Sequence, residues 1–295
     1  MNLLETIRRN RLFNPVIQPE YLRERYTNYA SRFIRVHGME VHYRDEGNGI
    51  PVILLHGIGA SLHTWEHYAL QFKESFRVIS VDLPGFGLTS AQPEHNYSMH
   101  ALMSFLLSFT EKLKITSFYV VGNSMGGEIA TRFTQKFPEK VKKLVVIDPS
   151  GSYPYHMKPF VFRLSENPLG AAIGKYINPS ILIDRSLDEI FYENKYLTPD
   201  IRQRYKDLSA REICRKAFIL RAPLFGNEGL IHFERVRRPT LILWGEKDSW
   251  LPVHLAKHFQ RIPNSKLIVY QEVGHCPQEE NPEISGGDII RFLKS

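Results

Sequence analysis

Phe118-Tyr119-Val120-Val121-Gly122-Asn123-Ser124-Met125-Gly126-Gly127 is the stretch that decides how this chain folds. Its opening apolar run fits a strand buried on both faces, the kind found in parallel sheets. Beyond the glycines, Ile129, Ala130, Phe133 and Phe137 recur at helical spacing and form one apolar face. Strand, tight turn and helix therefore follow one another without a linker, and the turn carries G-x-S-x-G. A serine in so sharp a turn takes a strained backbone, and close packing leaves room only for glycine beside it. Its hydroxyl then stands exposed at the carboxyl end of the sheet. A Gly-rich turn can also merely seat a phosphate at a helix N-terminus, so the rest of the chain has to decide between the two.

Working outward, Pro51-Val52-Ile53-Leu54-Leu55, Phe76–Val81 and Leu144–Ile147 are further buried strands. Helix-like stretches lie at about 62–73, 98–113 and 126–137. Such alternation predicts a mostly parallel sheet covered on both faces. Upstream, Phe33-Ile34-Arg35-Val36 and Val41-His42-Tyr43 flank His37-Gly38-Met39-Glu40 and read as a hairpin. Downstream, Thr240–Trp244 and Lys266–Tyr270 add two strands, and residues 281–294 a closing helix. The alternation stops between 150 and 235, a stretch rich in Pro, Tyr, Phe and Arg. There Tyr205, Leu208, Ile213, Ala217 and Leu220 predict a single helix over Arg202–Leu220. Breaks at Pro149 and Pro239 bound this piece. The expected organisation is an N-terminal arm (1–30), an α/β core (31–149 and 236–295) and a helical cap (150–235).

A serine hydroxyl is a poor nucleophile unless a neighbouring base takes its proton, and histidine suits that task near neutral pH. Of twelve histidines, His275 in Val273-Gly274-His275-Cys276-Pro277 stands out: it follows the last strand and precedes the terminal helix. A carboxylate must hold its tautomer. Asp248, in Trp244-Gly245-Glu246-Lys247-Asp248, follows its own late strand and satisfies the chain order Ser…Asp…His. Asp148, after Leu144–Ile147, is the rival, and Glu246 a lesser one. His56-Gly57-Ile58-Gly59 follows Val52–Leu55, where the Ile58 N–H can meet a developing oxyanion together with the Met125 N–H. His56 and Gly57 shape that loop and are candidates for substrate contact. Tyr153, Tyr155, Met157, Phe160 and Phe162 are the expected apolar lining from the cap.

Together these motifs, with Asp82-Leu83-Pro84-Gly85-Phe86-Gly87, resemble the α/β-hydrolase fold family over about residues 31–295. The resemblance implies a mostly parallel central sheet flanked by helices, one antiparallel strand near its start and a cap after the strand Leu144–Ile147. Dehalogenases and epoxide hydrolases of the family place Asp at the elbow, whereas this chain has Ser124. The expected activity is carboxylic ester hydrolysis through an acyl-enzyme on Ser124, with no metal or organic cofactor. The same elbow looks like that of carbon–carbon bond hydrolases of aromatic ring-cleavage pathways. Those usually carry a more Gly-rich oxyanion loop and a Trp after the base, where this chain has Ile58-Gly59-Ala60-Ser61 and Cys276. A cofactor-free perhydrolase and a ligand-binding receptor on the same fold are further alternatives.

Composition narrows the partners. The 295 residues are 43% hydrophobic and 23% charged, an ordinary globular balance. Two cysteines, Cys214 and Cys276, exclude a disulfide scaffold and show no zinc-like spacing. The net charge is +7, but residues 1–35 hold seven arginines against three glutamates, more than half of the excess. No nucleic-acid motif accompanies them. A solvated basic arm is expected, with weak attraction to an anionic membrane surface as the alternative. No run approaches the ~18 apolar residues of a spanning helix, and the first residues do not read as a secretory signal. A cytoplasmic enzyme with a small apolar substrate and no nucleic acid partner is expected. The sequence assigns no oligomeric state.

Overall fold

The computed structural model describes residues 19–152, 158–174 and 179–295. A first helix, α1 (Pro19–Tyr26), leads into a hairpin of β1 (Ser31–Val36) and β2 (Met39–Glu46). β3 (Pro51–Leu55), α2 (Glu66–Phe72), β4 (Arg77–Val81), α3 (Met99–Lys112), β5 (Phe118–Asn123), α4 (Met125–Lys136) and β6 (Val141–Ile147) continue the alternation. A run of helices follows: α5 (Phe160–Glu166), α6 (Pro168–Gly174), α7 (Ser180–Ile190), α8 (Pro199–Ser209) and α9 (Glu212–Arg221). The chain then returns to the sheet with β7 (Thr240–Gly245), α10 (Ala256–Phe259), β8 (Ser265–Tyr270), α11 (Pro277–Glu280) and α12 (Pro282–Lys294).

The eight strands form one sheet in the order β1-β2-β4-β3-β5-β6-β7-β8. β2 runs antiparallel to both neighbours and every other pair is parallel. The hairpin turns on His37 (φ 49) and Gly38 (φ 78), the two left-handed positions that match strand twist. The unbroken apolar runs are explained by two cores. Ile53, Leu55, Val120, Val146 and Ile242 pack on one face with Phe105 of α3 and Phe133 of α4. Val52, Leu54, Val121, Val145 and Leu241 pack on the other with Phe72 of α2 and Ile289 of α12. Each fully buried side chain of this size contributes about 1.5–3 kcal/mol.

The register decides what stands together at the carboxyl edge. Leu55 pairs with Gly122, Asn123 with Ile147, and Ile147 with Leu243. The loops after β3, β5, β6 and β7 are therefore neighbours. The strand order also reverses at β3, between β4 and β5, which opens a crevice at that edge.

Two expectations need correction. The helix expected over Arg202–Leu220 is two, because Arg211 is extended (φ −58, ψ 134) between α8 and α9. Its guanidinium donates to the Gly87 carbonyl, a tertiary bond that outweighs local helix propensity. The end of the expected N-terminal arm is no solvated appendage either. Leu22 and Tyr26 of α1 are buried against Leu88 and Leu208, and His63 Nε2 bonds the Tyr26 carbonyl at 2.8 Å. Arg8, Arg9 and Arg11 lie outside the described residues. Among the described residues, no helix is long and apolar enough to cross a membrane.

Candidate active site

Ser124 caps α4 with φ 53 and ψ −118, a conformation that costs an L-residue about 1–3 kcal/mol. The surroundings hold it there. Its N–H donates to the Ile147 carbonyl at 2.9 Å, and its carbonyl accepts from Ser150 N at 3.1 Å. A Cβ on Gly126 would stand 2.0 Å from the Leu55 oxygen, and one on Gly122 2.3 Å from the Gly126 oxygen. Glycine is required at both places by close approach of strand and helix.

Asp248 Oδ2 and His275 Nδ1 are 2.6 Å apart and buried. Asp248 Oδ1 accepts from Trp250 N and Leu251 N, each at 2.8 Å. The carboxylate accepts throughout, so the imidazole proton sits on Nδ1 and Nε2 presents its lone pair. The expected acid thus meets the expected base. Asp148 instead accepts from Gly245 N at 2.9 Å, and Glu246 is an exposed partner of Lys247. Asp148, Asp248 and His275 together resemble a ligand cluster, their atoms lying within 4.8 Å of one another. A separation of 2.6 Å is a hydrogen bond, too short for two ligands about 2.0–2.2 Å from a shared ion.

The His275 loop is fixed from several sides. His275 N–H donates to the Ile190 carbonyl at 2.7 Å, and Asn123 Nδ2 donates to the His275 carbonyl at 3.1 Å. Glu280 accepts from Gly274 N and Cys276 N, both at 3.0 Å, and from Tyr192 N at 2.8 Å. Burial pushes the Glu280 carboxyl above its ordinary range, while these three donors oppose the shift. Nothing in the sequence signals Glu280, because its role arises from a fold-back onto three amides.

Ser124 and His275 open on one cavity of about 150 Å³, whose rim includes Gly57, Ile58 and Gly59. Met125 opens α4, where the leading amides have no partner inside the helix; its side chain is buried in the core. His56 does not reach the cavity. It is fully buried, accepts from Leu83 N at 2.9 Å and donates through Nδ1 to the Gly57 carbonyl at 2.7 Å. Burial lowers its pKa and favours this neutral form.

Phe160 and Phe162 are corrected as well. Helical spacing turns Val161, Leu164 and Ser165 of α5 to the cavity. Phe162 is not part of the lining but packs behind it, onto Phe218, Phe225 and Trp250, and Phe160 lies under the Arg185 guanidinium. Tyr153, Tyr155 and Met157 lie outside the described residues. Leu182, Leu187, Ile190, Phe218 and Trp250 line the cavity instead, with Cys276 beside the base. The quoted Asp82 also finds a structural role. Its carboxylate accepts from Leu62 N at 2.7 Å and Leu88 N at 2.8 Å and bonds His42 Nδ1 at 2.7 Å. Burial would raise its pKa, but the His42 bond and charge hold it well below the usual range.

Comparison with known proteins agrees with this fold. A family model described as the alpha/beta hydrolase fold matches residues 50–282. The chain belongs to the α/β-hydrolase fold family. This α/β-hydrolase is 28% identical over 283 residues to 2-hydroxy-6-oxononadienedioate/2-hydroxy-6-oxononatrienedioate hydrolase 1 of Pseudomonas putida, across 90% of this chain and 96% of that one. It is 26% identical to 2-hydroxy-6-oxo-6-phenylhexa-2,4-dienoate hydrolase of Comamonas testosteroni, across 86% and 91%. Among solved structures it is similar to CarC, a serine hydrolase involved in carbazole degradation. That likeness has a TM-score of 0.75 and 25% identity, with 90% of this chain and 99% of that one covered. A hydrolase on this fold is thereby supported by structure and relatives alike.

Proposed function

We propose that Ser124 is the nucleophile of a serine hydrolase, His275 its general base and Asp248 the group that orients the base. The Ile58 and Met125 amides would hold the oxyanion. The observation that carries this reading is one cavity shared by a strained serine and a histidine whose tautomer a carboxylate fixes at 2.6 Å.

The proposed substrate is an apolar ketone cleaved at the carbon–carbon bond beside its carbonyl. This replaces the ester expected from the sequence, because the relatives named above are hydrolases of such dienoates and dienedioates. The cavity lining supports the change: among the described residues it contains one permanent cation, Arg215, and no Asp or Glu. That suits an apolar chain ending in a carboxylate. In the proposed cycle His275 takes the Ser124 proton and Oγ adds to the ketone carbonyl. The substrate reacts in its 2-oxo tautomer, so that the carbon beside the ketone is saturated. Collapse breaks the carbon–carbon bond, and its electron pair leaves as a carbanion delocalised onto the 2-oxo oxygen, a dienolate. Protonated His275 gives that carbanion its proton. Water, deprotonated by His275, then hydrolyses the acyl-enzyme to a carboxylic acid.

Ester hydrolysis is the second reading, favoured by Cys276 beside the base and by Ile58-Gly59-Ala60-Ser61 in the oxyanion loop. The same acyl-enzyme would form, with an alkoxide as leaving group. Helices α5–α9 would act as the cap that bounds the cavity. Cys214 and Cys276 are buried and unbridged, which supports the proposed cytoplasmic setting. The test is steady-state assay of a 2-hydroxy-6-oxo-dienoate, followed by loss of its colour, beside a series of p-nitrophenyl esters. A higher kcat/KM for the dienoate supports the first reading and the reverse order the second. No turnover of either by folded protein would refute both.

A further inference from the structure

A second carboxyl, Asp148, stands behind the Asp248–His275 pair, and the sequence left it as an unused rival. It is fully buried and sits in left-handed backbone (φ 42) at the end of β6. Its N–H donates to the Leu243 carbonyl at 3.0 Å. Oδ1 accepts from Gly245 N at 2.9 Å. Oδ2 is buried and meets no donor among the described residues, yet Asp148, Asp248 and His275 present atoms within 4.8 Å of one another.

Two ionised carboxylates that close in a water-poor site repel strongly, so one of them holds a proton. Donor supply says which. Asp248 accepts from three groups: Trp250 N, Leu251 N and His275 Nδ1. Asp148 accepts from Gly245 alone among the hydrogen bonds of its side chain, and its second oxygen is in the position of an acid O–H. We propose that Asp148 is a positioning residue, a neutral carboxyl that donates its Oδ2 proton to Asp248 and so fixes the carboxylate that orients His275. Burial first, then the negative charge of Asp248, push the Asp148 carboxyl well above its ordinary range; Glu280 adds to the rise and the Gly245 N–H opposes it.

The bond keeps the Asp248 carboxyl from turning away from Nδ1. It also stabilises Asp248 as an anion when His275 holds the serine proton, so that the proton stays on the imidazolium for the leaving group. This role rests on the hydrolase reading; the protonation of Asp148 does not. Two measurements keep them apart. Infrared difference spectra of wild type against Asp148→Asn at pH 7 should show the carbonyl stretch of a buried carboxylic acid, lost in the variant. Asp148→Asn keeps both bonds, its amide N–H donating to Asp248 and its oxygen accepting from Gly245, so kcat should hold. Asp148→Ala should lower kcat by about a hundredfold with KM nearly unchanged, as a misplaced base would. A wild-type spectrum without the acid band overturns the proposal, whatever the turnover. So does an Asn variant as impaired as Ala, or an Ala variant with unchanged kcat. If Ala does not fold, the band and the activity of the Asn variant decide the matter.

Discussion

The Tyr26 hydroxyl donates to Asp207 Oδ2 across 2.7 Å, which joins α1 at the start of the described chain to α8 in the helical segment. Gln203 Nε2 donates to the other oxygen of Asp207, also at 2.7 Å. Leu22, one turn before Tyr26, is fully buried against the same helix. Leu22→Ala should therefore cost about 2–5 kcal/mol of stability, by lost burial plus a residual cavity. Tyr26→Phe should cost about 1–3 kcal/mol, since Asp207 keeps its second donor. Urea unfolding measures both. An unchanged midpoint for Leu22→Ala would return α1 to the status of an appendage.

Ser124 offers a prediction that separates strain from chemistry. Ser124→Ala keeps a Cβ in the same left-handed backbone, so stability should barely move while turnover is lost. Ser124→Gly removes that Cβ and should raise stability by about 1 kcal/mol with turnover equally lost. A Gly variant less stable than the Ala variant would mean that the elbow is not strained. Full turnover in either would remove Ser124 from the mechanism.

Asp248→Asn should cost roughly 10⁴ in kcat, because an amide in its place allows the wrong imidazole tautomer. The loss should appear in kcat more than in KM, as the cavity lining is untouched. Pre-steady-state and steady-state kinetics on one substrate decide this. A loss below tenfold would mean that another group orients His275.

His63 provides the pH dependence. Its Nε2 donates to the Tyr26 carbonyl, and burial, then Arg44, lower its pKa from 6.5 to about 4. The unfolded chain therefore takes a proton near pH 6.5 that the folded chain refuses until about pH 4. Stability is complete above 6.5, declines as pH falls through this window and levels off below it. The full loss is on the order of 3 kcal/mol. His56, also lowered by burial, adds a decline of the same sign. His63→Gln keeps a donor for Tyr26 and removes the titration, so the difference in urea midpoint between pH 7.5 and 4.5 should shrink. An unchanged difference would mean that His63 is protonated in the folded state.

The strands were legible because the sheet imposes a local rule. A strand covered on both faces must be apolar throughout, and Pro51–Leu55, Phe118–Val121 and Thr240–Trp244 obey that rule without help from distant residues. Ser124, Asp248 and His275 were legible as candidates because each follows its own strand, and parallel strands end at one edge. The cavity wall was not. Whether Phe162 or its neighbour Val161 faces the cavity depends on how α5 is rotated against α9, which local pattern leaves open. The burial of Leu22 was equally hidden: PEYLRERY has few apolar residues, and the partners of Leu22, Leu88 and Leu208, lie far along the chain.

The tie between Ile190 and His275 limits how this scaffold can be recombined. The last turn of α7 supplies the acceptor for the His275 N–H, and Tyr192 N donates to Glu280 of α11, which also holds the base loop. Glu189 meanwhile accepts from the Trp250 indole, two residues past Asp248, at 3.0 Å. Residues 189–192 therefore belong mechanically to the sheet edge, although they are encoded within the helical segment. A chimera that trades helices between relatives at Pro149 and Pro239 would cut through this joint and import a foreign cradle for the histidine. Moving the first crossover to follow Tyr192, so that the graft begins ahead of α8, would leave the native joint in place. Swaps of substrate-facing helices should then divide at this point into those that inherit a working base loop and those that do not.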